Sequence, residues 1–70
     1  MTNPKTNFFG DKYWVNSKGQ FHRDEGPAYE HLGGTKVWYK NGLQHREDGP
    51  AVEHVDGCYN SWWINGKQIK

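Results

Sequence analysis

Apolar residues in this chain come in short bursts, and a turn-forming pair or triplet closes each of them. YWVNSKGQFH (13–22), WYKNGLQH (38–45) and WWINGKQIK (62–70) all open on aromatic residues and run into Asn and Gly. No segment keeps a helical period for three turns, whereas short alternating stretches rich in Trp, Tyr, Val and Ile recur, as half-buried strands require. The pattern predicts eight short antiparallel strands, roughly over 12–16, 19–22, 28–31, 35–40, 43–45, 51–55, 59–64 and 67–70. Alternation places Trp14, Trp38 and Trp62 on one face, and Tyr13, Val15, Val37, Tyr39, Ser61 and Trp63 on the other.

The turns are equally legible. Asn41-Gly42 and Asn65-Gly66 predict two-residue type I′ turns, which need positive φ at both central positions. Asn16-Ser-Lys-Gly19 is longer by one residue and predicts a bulged or three-residue turn. Gly33-Gly34 and Asp56-Gly57 mark the second turn of each unit, and Gly-Pro at 26–27 and 49–50 suits the start of a strand.

The charged connections repeat as well. HRDEGPAYEHLGG (22–34) returns 23 positions later as HREDGPAVEHVDG (45–57). A period of this length marks a repeat architecture. The expected fold class is therefore all-β, a single elongated twisted antiparallel sheet of successive β-hairpins. Residues 1–11 form a partly flexible leader in this reading, with Phe8 and Phe9 placed to cap one end of the sheet. Residues 12–70 form the repeat domain, about two and a half units long.

Composition narrows the classes. The chain has 70 residues, short for a comfortable single core, yet 11 of them are aromatic, including four Trp. That is more aromatic surface than a thin sheet hides, which favours binding. A formal charge of +1 argues against a strong electrostatic nucleic-acid binder. The single cysteine, Cys58, allows no internal disulfide and fits a reducing compartment. The opening MTNPKTNFFGDK lacks the apolar run of a signal peptide, so the expectation is a soluble cytoplasmic protein without a membrane span.

Four histidines beside acidic residues raise the question of chemistry. His22 and His45 lie one unit apart, as do His31 and His54, and two strand spacings separate such pairs by about 10 Å. A zinc site needs ligands converging at about 2 Å from one ion, so no metal or other cofactor is expected. Asp24-Glu25 and Glu47-Asp48 each follow an arginine directly, which reads as a solvated or Arg-paired loop. Cys58 reads as an incidental small residue. No catalytic residues are assigned, and the chain is expected not to be an enzyme.

WYKNG (38–42), HVDG (54–57) and WWING (62–66) resemble MORN repeats, units of about 23 residues built on a W-x-N-G hairpin. The resemblance covers residues 12–70. Where the common unit has a short H-G-x-G step, this chain has His22-Arg-Asp-Glu-Gly-Pro-Ala28 and His45-Arg-Glu-Asp-Gly-Pro-Ala51. That longer form is similar to the variant repeats of bacteriophage, giant-virus and some bacterial proteins. The resemblance implies an elongated antiparallel sheet, and a small phage-type protein acting in the host cytoplasm by docking on a host protein.

The functional expectation is a non-enzymatic protein-binding module, an inhibitor or adaptor directed at a host enzyme or defence complex. Its candidate partner-binding residues are Trp14, Arg23, Trp38, Tyr39, Arg46, Trp62 and Trp63, because aromatics and Arg dominate interface hot spots. Arg23 and Arg46 are expected to present two evenly spaced charges along one sheet edge. The alternative is single-stranded nucleic-acid binding, with aromatic stacking and Lys12, Lys18, Lys36, Lys40 and Lys67 tracking phosphates; the near-neutral charge disfavours it. Pairing through an open sheet edge would make a homodimer.

Overall fold

A computed structural model describes residues 4–57 and 59–70; Cys58 lies outside them. Among the described residues, nine two-residue strands and no helix make up the regular structure: β1 (Lys5–Thr6), β2 (Lys12–Tyr13), β3 (Tyr29–Glu30), β4 (Lys36–Val37), β5 (Tyr39–Lys40), β6 (Leu43–Gln44), β7 (Val52–Glu53), β8 (Trp63–Ile64) and β9 (Lys67–Gln68). All pairings between them are antiparallel. The all-β hairpin architecture read from the turns is thus what the chain adopts.

The single continuous sheet is not. Regular structure divides into a five-stranded sheet of order β1-β2-β3-β4-β7 and two hairpins, β5-β6 and β8-β9. The cause lies at the tryptophans. Trp38 donates its N–H to the Ala51 carbonyl at 2.7 Å, while its own carbonyl accepts from His45 N–H at 3.0 Å. Trp14 repeats this with Ala28 (2.8 Å) and His22 (2.9 Å). Each strand therefore changes ladder partner at its Trp, pairing with the GPA strand before it and with its own hairpin after it. Extents of 29 × 24 × 17 Å describe a body only moderately longer than wide.

The turns form for the reasons their sequences give. Asn41 and Gly42 have φ of 51° and 83°, and Asn65 and Gly66 have 49° and 82°, as type I′ geometry demands. Asn16 closes the longer turn: its N–H bonds the Gln20 carbonyl, and its side-chain oxygen accepts from Lys18 and Gln20 N–H. Asn7 makes the same set of bonds with Asp11 and Phe9. The leader therefore contains a copy of that turn, and Lys5–Thr6 pair with Tyr13 and Lys12 to add a strand the sequence pattern does not predict. Phe8 and Phe9 are 97% and 74% exposed at its tip and do not cap the sheet. A two-residue burst gives no alternation from which β1 could have been read.

Burial is thin. Trp14, Ala28, Val37 and Ala51 are the buried apolar residues among those described. On the face opposite the tryptophans, Tyr13, Phe21, Tyr29 and Tyr39 form a half-buried aromatic cluster with ring centroids 5.1–6.0 Å apart. The alternate residues of the five-stranded sheet form a row in which Lys12, Glu30, Lys36 and Glu53 succeed one another across neighbouring strands. Opposite charges facing each other in this way stabilise a sheet and cancel its field.

Asp11 fastens the leader turn to the β3–β4 turn. Its carboxylate accepts from Leu32 N–H (2.8 Å), Tyr29 Oη–H (2.9 Å) and the Asn7 amide (3.2 Å). The Leu32 N–H first, then the Tyr29 hydroxyl and the Asn7 amide, with a small contribution from nearby His31, hold its pKa below the ordinary 3.8 against an opposing desolvation effect. A carboxyl whose folded pKa is depressed stabilises fully above its unfolded pKa, and that stability is lost as pH falls through the folded value. Asp11→Asn should therefore cost most near neutral pH, with the difference from wild type shrinking below about pH 4. Urea midpoints of the two proteins across that range check it; a pH-independent difference would mean the charge of Asp11 is irrelevant.

Candidate interaction surface

The repeated HR(D/E)(E/D)GPA connections carry the most organised side chains in the molecule. In the second copy, the Arg46 guanidinium lies 3.8 Å from the centroid of the Trp38 ring. It also donates to the Pro50 carbonyl (3.0 Å) and pairs with Glu53 (3.0 Å) and Asp48 (3.0 Å). Arg23 repeats the arrangement over Trp14 at 3.8 Å, with Pro27 O at 3.1 Å and Glu30 at 3.6 Å. A planar, weakly hydrated guanidinium suits this position in a way an ammonium does not. Glycine follows from it: a Cβ on Gly49 would stand 2.9 Å from Arg46 Cζ. Gly49 thus makes room for the stacked cation and is not there for a special φ.

The histidines preceding these arginines join one unit to the next. His22 Nδ1 accepts the N–H of Asn41, and His45 Nδ1 accepts that of Asn65, each at 3.0 Å. The donor in both cases belongs to the first residue of the following type I′ turn. With Nδ1 accepting, the neutral ring carries its proton on Nε2, which faces Asp24 at 3.2 Å in one copy and Glu47 at 3.3 Å in the other. Backbone bonds run beside them: Arg23 N–H to Tyr39 O and Gly42 N–H to Phe21 O, then Arg46 N–H to Trp63 O and Gly66 N–H to Gln44 O.

Compared with known proteins, the chain matches no family model, no curated protein and no solved structure.

A cleft of about 290 Å³ opens between the two charged connections. Trp38, Tyr39 and Lys40 line it from the strand, with Arg23 to Gly26 and His45 to Asp48 on its sides. Its carboxylates reach water: Asp24, Glu47 and Asp48 have side chains 79%, 80% and 87% exposed.

The sequence-predicted contact residues divide accordingly. Trp38, Tyr39, Arg23 and Arg46 are brought together at the cleft. Trp14 is 6% exposed beneath Arg23 and belongs to the core, so it offers a partner almost nothing. The two arginines are not outward charges either: their side chains are only 25% and 20% exposed, because ring, carbonyl and carboxylate hold each guanidinium inward. Trp62 and Trp63 are half-buried and stand apart from the cleft. Over Trp62 the Lys70 ammonium lies at 5.7 Å, a looser cover than either arginine provides. Trp63 donates its indole N–H to Ser61 Oγ at 2.8 Å.

Sequence reasoning missed Glu30 and Glu53 as partners of the arginines. Their signal was available, since each follows its Arg by seven residues in both copies. Among the described residues no group of three or more His, Cys, Asp or Glu is placed to hold a metal ion. No helix among them is long and apolar enough to cross a membrane.

Proposed function

We propose that this chain is a small non-enzymatic protein-binding module, a phage-type inhibitor or adaptor that docks on a host enzyme or defence complex in the host cytoplasm. The observation that carries the reading is the cleft between two copies of one rigid connection, with Trp38 and Tyr39 in its lining. Aromatic residues in a depression flanked by ordered polar groups make up the usual centre of a protein interface. The resemblance to variant MORN repeats supplies the viral context and stands as an analogy. Nucleic-acid binding gains less support, because Lys12 and Lys36 each lie opposite a glutamate in the charge row and cannot track phosphates without competition.

Immobilised protein challenged with a nuclease-treated bacterial lysate tests the proposal. One host protein should be retained in stoichiometric amount, and Tyr39→Ala should release it if the variant keeps its circular-dichroism spectrum. Retention seen only without nuclease would overturn the proposal in favour of nucleic acid.

A further inference from the structure

We infer that His22 and His45 form a proton-operated joint: a proton taken up at Nδ1 of either ring detaches the type I′ turn of the following unit. The device belongs to the scaffold and acts whatever partner the surface takes.

Valence decides the chemistry. An imidazole accepts a hydrogen bond only through a nitrogen that carries no proton, and the imidazolium has none. In both copies that nitrogen is Nδ1, which accepts Asn41 N–H and Asn65 N–H at 3.0 Å. Protonation sets N–H against N–H, so neither bond survives it. Nε2 behaves in the opposite way. It points at Asp24 (3.2 Å) or Glu47 (3.3 Å), and a charged ring donates to a carboxylate more strongly than a neutral one. Both effects move the ring in one direction, away from the following turn and toward the acid of its own connection.

The surroundings allow that exchange. The His22 and His45 side chains are 21% and 13% exposed, so each ring is held close to its turn, whereas the acids they face lie in water. The other charges near His45 are Arg46 and Asp48 on its own connection, with Arg23, Asp24, Glu25 and Lys40 across the cleft. Near His22 they are Arg23, next in the chain, and Lys40, which precedes the Asn41 that His22 holds. Both arginines keep their charge over tryptophan rings, and Asp48 is paired with Arg46. The neighbouring bonds of the same joints do not titrate: Arg23 N–H to Tyr39 O, Gly42 N–H to Phe21 O, Arg46 N–H to Trp63 O and Gly66 N–H to Gln44 O are all between backbone groups. A proton therefore loosens the turns at 41–42 and 65–66 and leaves the units joined. His45 also lines the cleft, so the wall of the cleft moves with it.

The test follows the ¹⁵N-labelled full chain from about pH 8 to about pH 5, across the usual imidazole range and above the usual carboxyl range. Ring nitrogen shifts report protonation directly. At the alkaline end both rings should carry hydrogen on Nε2 alone. As they gain the second proton, the Asn41 and Asn65 amide protons should move upfield in step. Their protection against exchange, corrected for the intrinsic rate, should fall about two- to ten-fold, as loss of one hydrogen bond gives. Ala28 N–H, bonded to Val37 O, should keep its protection, which separates opening of the joint from unfolding. His22→Asn with His45→Asn puts an amide oxygen at the Nδ1 position, where it accepts but takes no proton, and should abolish the response. Asn41 and Asn65 amides that stay fixed while the rings titrate would overturn the inference. So would rings still neutral at the acid end, or an alkaline form with hydrogen on Nδ1. An unchanged response in the double variant would overturn it as well, by assigning the effect to His31 or His54. Should the double variant fail to fold, the ring and amide titrations of the wild type decide the matter by themselves.

Discussion

Trp14→Ala is expected to be the most damaging single substitution, costing about 3–5 kcal/mol, as truncation of a buried Trp generally does. A domain of this size has roughly 4–10 kcal/mol in total, so one residue carries a large share of the stability. Two observations make Trp14 that residue. It is the largest side chain in a core of four, beside the fully enclosed Ala28 and Ala51, which have no volume with which to fill a hole. Its ring is also the platform for Arg23, whose guanidinium would face a void if the ring were removed. Trp62→Ala provides the comparison, since Trp62 is half-buried and its cation, Lys70, lies 5.7 Å from the ring centroid. Urea unfolding followed by circular dichroism should show a much larger fall in midpoint for the first variant than for the second. Equal falls would mean that the tryptophans serve as three interchangeable rungs and that Trp14 has no special place.

Arg46→Ala ranks second, at about 2–4 kcal/mol. The stack on Trp38 contributes about 0.5–2 kcal/mol. The charged bond to the Pro50 carbonyl contributes about 1.5–3 kcal/mol, and Glu53 is left without its cation. Asp48 adds little, because an ion pair so exposed is largely screened. Arg46→Lys keeps the charge but loses the fork and most of the stack, and should recover less than half of the loss. Both variants are read from denaturant midpoints at moderate salt. Full recovery by lysine would show that charge alone matters and that the stacked geometry is incidental.

How much of this was legible in the sequence depends on whether a feature is local. The type I′ turns at Asn41-Gly42 and Asn65-Gly66 were readable because a two-residue loop leaves the chain only one way to go. Alternation put Tyr13 and Val37 on one face, where the strand register adds Tyr29 and Val52 beside them. Features that depend on two distant segments were not readable. A strand's pattern is the same whether it keeps one ladder partner or exchanges it at Trp38, so the division of the sheet left no trace in the residues. Arg23 and Arg46 looked outward because they stand in hydrophilic runs; Gly49, Pro50 and Glu53 turn Arg46 inward, and their joint action exists only in three dimensions. The cleft is of the same kind, since its walls come from two connections 23 residues apart in the chain.

The histidine contacts have a consequence for how such a molecule lengthens. Each arginine serves the tryptophan of its own unit, but His22 and His45 reach forward to the turn of the next. A block of 23 residues duplicated in tandem would arrive with its own lid and with one clasp open on each side, donor at the front and acceptor at the rear. Growth by whole blocks then satisfies every clasp, while insertion of a partial block leaves at least one of these histidine acceptors or asparagine N–H donors without its partner. Length in this architecture is thereby quantised, and the clasp enforces the quantum.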